Sequence, residues 1–178
     1  MYTTRSHLLA PPPNSNIRYK FLSGIAHTQE WERQVSFIGM AFGHDELHAQ
    51  LYSDALSYTT RSGSSNAPAN LGFSSHQSPA TGGRGRPRAQ DMALQVTDRI
   101  PAYDARNTVF DAQTDWPALS RVLPPFHSEV PRGSFAAVGY TCNTYLANDK
   151  WNLSCNIQFV VVMGTPDRMH YSFEDSYC

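Results

Sequence analysis

Hydrophobic and polar residues alternate most regularly across residues 134–164, and this pattern predicts a long β-hairpin. Asn148 and Asp149 tolerate the positive φ angles of a two-residue turn, so we expect the chain to reverse direction there. Folding the sequence about this turn sets Leu146 opposite Trp151 and places the apolar residues of both strands on one face. That face is predicted to belong to the core.

Away from the turn, the same register pairs Val138 with Phe159. The opposite face of the hairpin is polar near the turn and becomes apolar only at Val160 and Val162. A sheet segment that is apolar on both faces has to be covered on both. We therefore expect residues 35–42, or another subunit, to cover this far end of the hairpin.

The register also sets Cys142 opposite Cys155, at a non-hydrogen-bonded pair where side chains approach most closely. This position is compatible with a disulfide between the two strands. The alternative is a pair of reduced core thiols, which is the usual state inside cells.

Shorter elements are predicted along the rest of the chain. Apolar runs and alternating patterns predict strands at residues 17–25, 35–42, 92–100, 108–110 and 169–173. Helical spacing predicts a helix at residues 44–58, and N-terminal capping residues are compatible with short helices at residues 28–33 and 116–123. The expected fold class is mostly β or α+β, an antiparallel sandwich or jelly-roll-like sheet with one or two helices and a long polar loop.

Composition suggests how the chain is divided. Its 178 residues are typical of one domain. Residues 1–16 are polar and end near three consecutive prolines, so we expect an extended arm. Residues 17–178 are expected to form a single globular domain, with a loop rich in Ser, Gly and Pro at residues 59–90.

Charge and hydropathy argue against a dedicated nucleic-acid-binding protein and against a membrane protein. Charged residues make up 16% of the chain, below the ~25% of ordinary soluble domains. The net charge of -1 is unlike that of a dedicated nucleic-acid-binding protein. With no 18-residue apolar run and no signal-peptide core, we expect no membrane partner and an intracellular or virion location.

Residues 83–88, Gly-Arg-Gly-Arg-Pro-Arg, resemble the core of the AT-hook, a short DNA-binding motif. The resemblance implies that Arg84 and Arg86 would lie along a narrow A·T minor groove, with Arg88 nearby. The alternative is a basic loop that contacts solvent or an acidic surface. These three arginines are the candidate nucleic-acid contacts.

His44 and His48 are the candidate metal ligands, because residues four apart share one face of a helix. The segment differs from the zinc-protease pattern, in which Glu directly follows the first His; here Asp45 stands at that position. The alternative is two solvated histidines at the start of a helix.

The leading hypothesis is a structural, self-assembling protein, namely a small viral coat protein that forms homo-oligomeric particles. Low surface charge, an extended arm and a long polar loop favour it, since such segments need neighbouring surfaces to order them. One alternative is a DNA-associated accessory protein that uses the AT-hook-like segment. A second is a metal-dependent enzyme, although no catalytic motif is present, so we expect no enzyme and no cofactor.

Overall fold

The computed structural model describes residues 1–13, 16–52, 54–61 and 93–166, and within these the chain is built around one mixed sheet. Its strands are β1 (Tyr2–His7), β2 (Phe21–Ile25), β3 (His48–Ala49), β4 (Leu51–Tyr52), β5 (Ala55–Thr59), β6 (Ala102–Asp104), β7 (Phe135–Ala147) and β8 (Lys150–Gly164). The helices are α1 (Thr28–Phe42) and α2 (Leu119–Val122), and α2 directly follows a 3₁₀ turn at Trp116–Ala118. The predicted sheet-rich fold is confirmed.

Strands β7 and β8 form the predicted hairpin. Asn148 and Asp149 have φ angles of 52° and 58°, as a two-residue turn of this kind requires. Leu146 pairs with Trp151, which confirms the register near the turn. The predicted polar face is confirmed as well, since Asn156 Nδ2 donates to Asn143 Oδ1 over 2.7 Å.

A β-bulge changes the register beyond Tyr140, so Val138 pairs with Val160 and not with Phe159 as predicted. The bulge lies beside Gly139, where a Cβ atom would overlap the ring of Phe159. Because Gln158 is the extra residue, the side chains that follow it change faces. The residues expected on the outer face at this end therefore point into the core.

The sheet curls until its two ends meet. β7 pairs with β1, β1 with β2, and β2 with β5, and Thr59 of β5 then pairs with Asn156 of β8. β3 and β6 lie parallel to β8 along the same edge, while β4 pairs with β5. The ring of strands encloses the main core, which includes Leu22, Leu56, Tyr58, Ala136, Cys155, Ile157, Val160 and Val162.

A smaller core covers the outer face of the hairpin's far end. Val161 is fully buried there against Leu119 and Leu123, at the ends of α2. The prediction that this end of the hairpin is covered on both sides is therefore confirmed. The expected cover by residues 35–42 is wrong, because the segment around α2 supplies it.

Residues 35–42 are the second half of α1 and do not form the predicted strand. Trp31, Gln34 and Ile38 face the sheet at helical spacing, so one continuous helix uses a single inward face. The helix ends at Gly43, whose φ of 65° is left-handed and whose N–H donates to Gly39 O.

The predicted helix at residues 44–58 is also wrong, since this segment contains β3, β4 and β5. Pairing with β8 and β2 outweighs the helical spacing of its apolar residues. The described residues 93–100 and 108–110 form no strand, whereas 102–104 form β6. The helical segment predicted at 116–123 is confirmed as the 3₁₀ turn and α2, and residues 169–173 lie outside the described ranges.

The first part of the expected arm is a strand of the sheet. Residues 2–7 form β1, where Thr3 Oγ1 donates to Pro131 O over 2.7 Å and Gly133 N–H donates to Thr3 O. Of the expected loop at 59–90, residues 62–90 lie outside the described part of the chain. In the ranges that are described, no helix is long and apolar enough to cross a membrane.

Candidate functional site

The inward side of α1 carries Trp31, Gln34 and Ile38. Trp31 packs against the main core and Ile38 is buried, while Gln34 Nε2 donates to the hydroxyl of Tyr140 on β7 over 2.7 Å. A half-buried amide needs such a partner, and this one also fixes the rotation of the helix about its axis. The inward face of α1 is thereby defined.

The outward side of α1 changes character along its length. The first half carries an exposed ion pair between Glu30 and Arg33, at 3.4 Å. The second half exposes Val35 by 49%, Phe37 by 68% and Met40 by 76%. Because successive helical residues are rotated by about 100°, Phe37 and Met40 lie on the same outward side, and we call these two residues the α1 apolar surface. Val35 lies on the other side, at the groove between α1 and the sheet.

Surface helices usually present polar residues to solvent. Single exposed apolar residues are ordinary, but two large ones three positions apart share one side of a helix, where another molecule can cover both. Residues 34–43 also contain no formal charge. This half of α1 therefore has the composition of a buried helix and the exposure of a surface one.

A groove of about 400 Å³ runs between α1 and the sheet, and Val35 lies at its edge. Its walls are mostly apolar, with Leu56 of β5 and Leu153 of β8 among the lining residues. Leu51, which also lines it, is half exposed. The groove therefore lies on the Val35 side of α1, and Phe37 and Met40 are not among its lining residues.

The tip of the hairpin lies beside this groove. The ring of His44, which lines the groove, stacks on Trp151 with the ring centroids 4.3 Å apart. Leu146, opposite Trp151 in the hairpin, is 53% exposed. The Val35 side of α1, the groove and the hairpin tip therefore lie together and expose several apolar groups.

The candidate metal ligands occupy separate local settings. His48 lies in β3, with Nε2 2.9 Å from Glu46 Oε1, whereas His44 is stacked on Trp151. Because residues 44–48 do not form a helix, the shared helix face that suggested a metal site is absent. Across the described ranges, no three His, Cys, Asp or Glu side chains are grouped closely enough to hold a metal ion.

The candidate nucleic-acid contacts Arg84, Arg86 and Arg88 lie outside the residues that the structure describes. The resemblance of this segment to the AT-hook therefore stays a prediction.

The two cysteines of the hairpin are opposite each other as predicted, and both are free thiols. Their sulfur atoms lie 3.9 Å apart. Close by, the rings of Tyr58 and Tyr140 pack with centroids 4.9 Å apart, and burial raises the pKa of both phenols. These hydroxyls are therefore protonated hydrogen-bonding groups at neutral pH.

The sequence contained no local signal for the contact between Gln34 and Tyr140, which are 106 positions apart. It did contain the apolar run of α1, but that run was assigned to a buried strand. An uncharged run directly after a charged helical turn was the available clue.

Comparisons with protein-family models, with curated proteins and with solved structures gave no match for this chain.

Proposed function

We propose that this protein is a structural subunit that assembles with further copies of itself, as the subunits of a viral coat or a similar particle do. The observation that carries the proposal is the α1 apolar surface, Phe37 and Met40, which are 68% and 76% exposed on a helix whose inward side holds the buried Ile38.

Association would remove this surface from water. Burial of an exposed apolar side chain contributes roughly 1–2 kcal/mol when it was partly exposed beforehand, so Phe37 and Met40 together supply about 2–4 kcal/mol. The groove beside Val35 offers concave space for a protruding side chain such as Phe37. A second copy provides both the protrusion and the groove, which is the requirement for a two-fold contact.

The chemistry of the surface favours a copy of the chain over a charged partner. No formal charge occurs between residues 34 and 43, so this half of α1 has no charged group with which to attract a charged partner. Charged residues are also few in the whole chain, at 16%. A surface with few charges is typical of a subunit that neighbours cover.

Size-exclusion chromatography with light scattering tests the proposal over a range of protein concentrations. We expect a mass that is a multiple of the 19.9 kDa chain and that rises with concentration. The double variant Phe37→Ser, Met40→Ser should elute as a monomer. The matched control is Val109→Ser, which removes an apolar side chain that is 98% exposed elsewhere, and it should assemble like the wild type.

Two outcomes would contradict the proposal. One is a wild-type protein that stays at 19.9 kDa at every concentration. The other is a monomer that binds A·T-rich duplex DNA and loses this binding when Arg86 is changed to Ala, which would favour the DNA-associated alternative.

A further inference from the structure

Cys142 of β7 and Cys155 of β8 form a pair of facing thiols that the proposed assembly does not use. They are directly opposite in the ladder, and their sulfur atoms are 3.9 Å apart. A disulfide bond is about 2.05 Å long, so the sulfurs have to approach by roughly 2 Å. Neighbouring strands hold opposite Cα atoms within the range that a disulfide accepts, so side-chain rotation alone brings the sulfurs together.

The two thiols have unequal surroundings. Cys142 is half-buried, while Cys155 is 4% exposed and belongs to the main core. A hydrogen bond from the Cys155 thiol stabilises a thiolate at Cys142 and lowers the pKa of Cys142. The same contact, together with burial, raises the pKa of Cys155. The more accessible sulfur is therefore the one that ionises first.

We propose that Cys142 and Cys155 are a peroxide-reactive dithiol, in which Cys142 is the attacking residue and Cys155 the resolving one. In the first step, the Cys142 thiolate attacks one oxygen of hydrogen peroxide, the O–O bond breaks, and Cys142 sulfenic acid and hydroxide form. In the second step, the Cys155 sulfur attacks the Cys142 sulfur. The thiol proton and the leaving hydroxide form water, and a disulfide joins β7 to β8.

The fold favours the second step over further oxidation of Cys142. The Cys155 sulfur does not have to move far to react, because the ladder holds it next to the site where the sulfenic acid forms. The neighbouring rings of Tyr58 and Tyr140 limit the approach of a second peroxide molecule from within the core. Tyr140 is itself held in place by the hydrogen bond that Gln34 of α1 donates to its hydroxyl.

Tryptic mapping of the full chain tests the proposal, because Lys150 lies between the two cysteines. Trypsin releases Cys142 in peptide 133–150 and Cys155 in peptide 151–168, while Cys178 lies in neither. After brief treatment with hydrogen peroxide and alkylation of the remaining thiols, we expect these two peptides joined and two hydrogens lighter than their sum. A reducing agent should return both peptides as free thiols.

Variants assign the two roles. With Cys155→Ser, the reaction should stop at a sulfenic acid on Cys142, which dimedone traps. With Cys142→Ser, Cys155 should remain an alkylatable thiol under the same treatment. Cys178→Ser is the matched control and should give the same joined peptides as the wild type.

Three results would overturn the proposal. The first is that peptides 133–150 and 151–168 stay unlinked in the wild type at peroxide concentrations that oxidise free cysteine. The second is that they are linked only in chains cross-linked to one another on a non-reducing gel. The third is dimedone labelling at Cys155 in the Cys142→Ser variant, which would exchange the two roles.

Discussion

The far end of the hairpin and the second half of α1 are both apolar on two sides, yet they end up in opposite environments. Val160, Val161 and Val162 are fully buried, because the ring of strands covers one face and the segment around α2 covers the other. In α1, Ile38 is buried on the inward side, while Phe37 and Met40 remain exposed on the outward side.

An apolar run therefore shows that both faces of an element have to be buried, but it does not show which part of the molecule buries them. Both faces of the hairpin's far end are buried by its own chain. One face of α1 packs on its own chain, and we propose that a second copy of the protein buries the other face. Substitutions in the two regions distinguish residues that the fold requires from residues that only assembly requires.

The largest expected effect comes from placing a charge in each region with the same substitution. Val161→Asp leaves an unpaired carboxylate in the core, so we expect it to lower the free energy of unfolding by more than about 4 kcal/mol. Val35→Asp, at a half-exposed position of α1, should lower it by less than about 1 kcal/mol. Urea denaturation of both variants at low concentration measures this.

Similar losses of stability in these two variants would show that the two regions do not differ in the way described. A large loss for Val35→Asp in particular would mean that α1 is buried within the monomer.

The next effect uses a glycine from each region. At Gly139, beside the bulge, a Cβ would overlap the Phe159 ring, so we expect Gly139→Ala to destabilise the protein by about 1–3 kcal/mol. Gly39 in α1 has its nearest neighbour at 3.6 Å, and Ala is the better helix former, so Gly39→Ala should stabilise by about 0.5–1 kcal/mol. Thermal unfolding followed by circular dichroism measures both changes in stability. Two changes of the same sign would contradict the difference described between the two regions.

The hairpin shows how far the sequence could predict the fold. Two residues with positive φ fixed the turn, and alternation fixed the register as far as Tyr140 and Ile157. Beyond that pair the prediction failed, because the bulge depends on how Gly139 accommodates the Phe159 ring. The alternation of side chains along a strand does not show where a bulge inserts an extra residue, because the cause of this bulge lies on the opposite strand.

A smaller effect is expected where the backbone is left-handed. Asp149 in the hairpin turn has a φ of 58°, so Asp149→Gly should relieve strain and stabilise by about 0.5–1 kcal/mol. At the end of α1, Gly43 has a φ of 65°, so Gly43→Ala should destabilise by about 1 kcal/mol. Chemical denaturation of the two variants checks both, and a destabilising Asp149→Gly would contradict the assigned turn.

The smallest expected effect on stability is at the α1 apolar surface itself. Phe37→Ser and Met40→Ser remove side chains that the monomer does not bury, so each should change the free energy of unfolding by less than about 0.5 kcal/mol. The measurement is made at a concentration where the protein is monomeric. A loss of 2 kcal/mol or more would assign these residues to the core.

The candidate surface was harder to predict than the fold. The apolar run at residues 35–42 was visible, but its second face was assumed to be buried, and the run was therefore assigned to a strand. Likewise, the helical spacing at residues 44–58 gave way to pairing with distant strands. Both errors have one cause: which face is covered depends on partners far away in sequence, and the local pattern does not contain them.

Hydroxyl-radical footprinting of the wild-type protein, once diluted and once concentrated, tests most directly that the exposed side of α1 is the contact between copies. If copies meet through this side of α1, Met40 and Phe37 are oxidised several-fold more slowly in the concentrated, assembled sample. Trp116, which packs on Phe159 at the far end of the hairpin, should be oxidised at the same rate in both samples. Equal oxidation of Met40 in the two samples, while the mass shows assembly, would contradict the account.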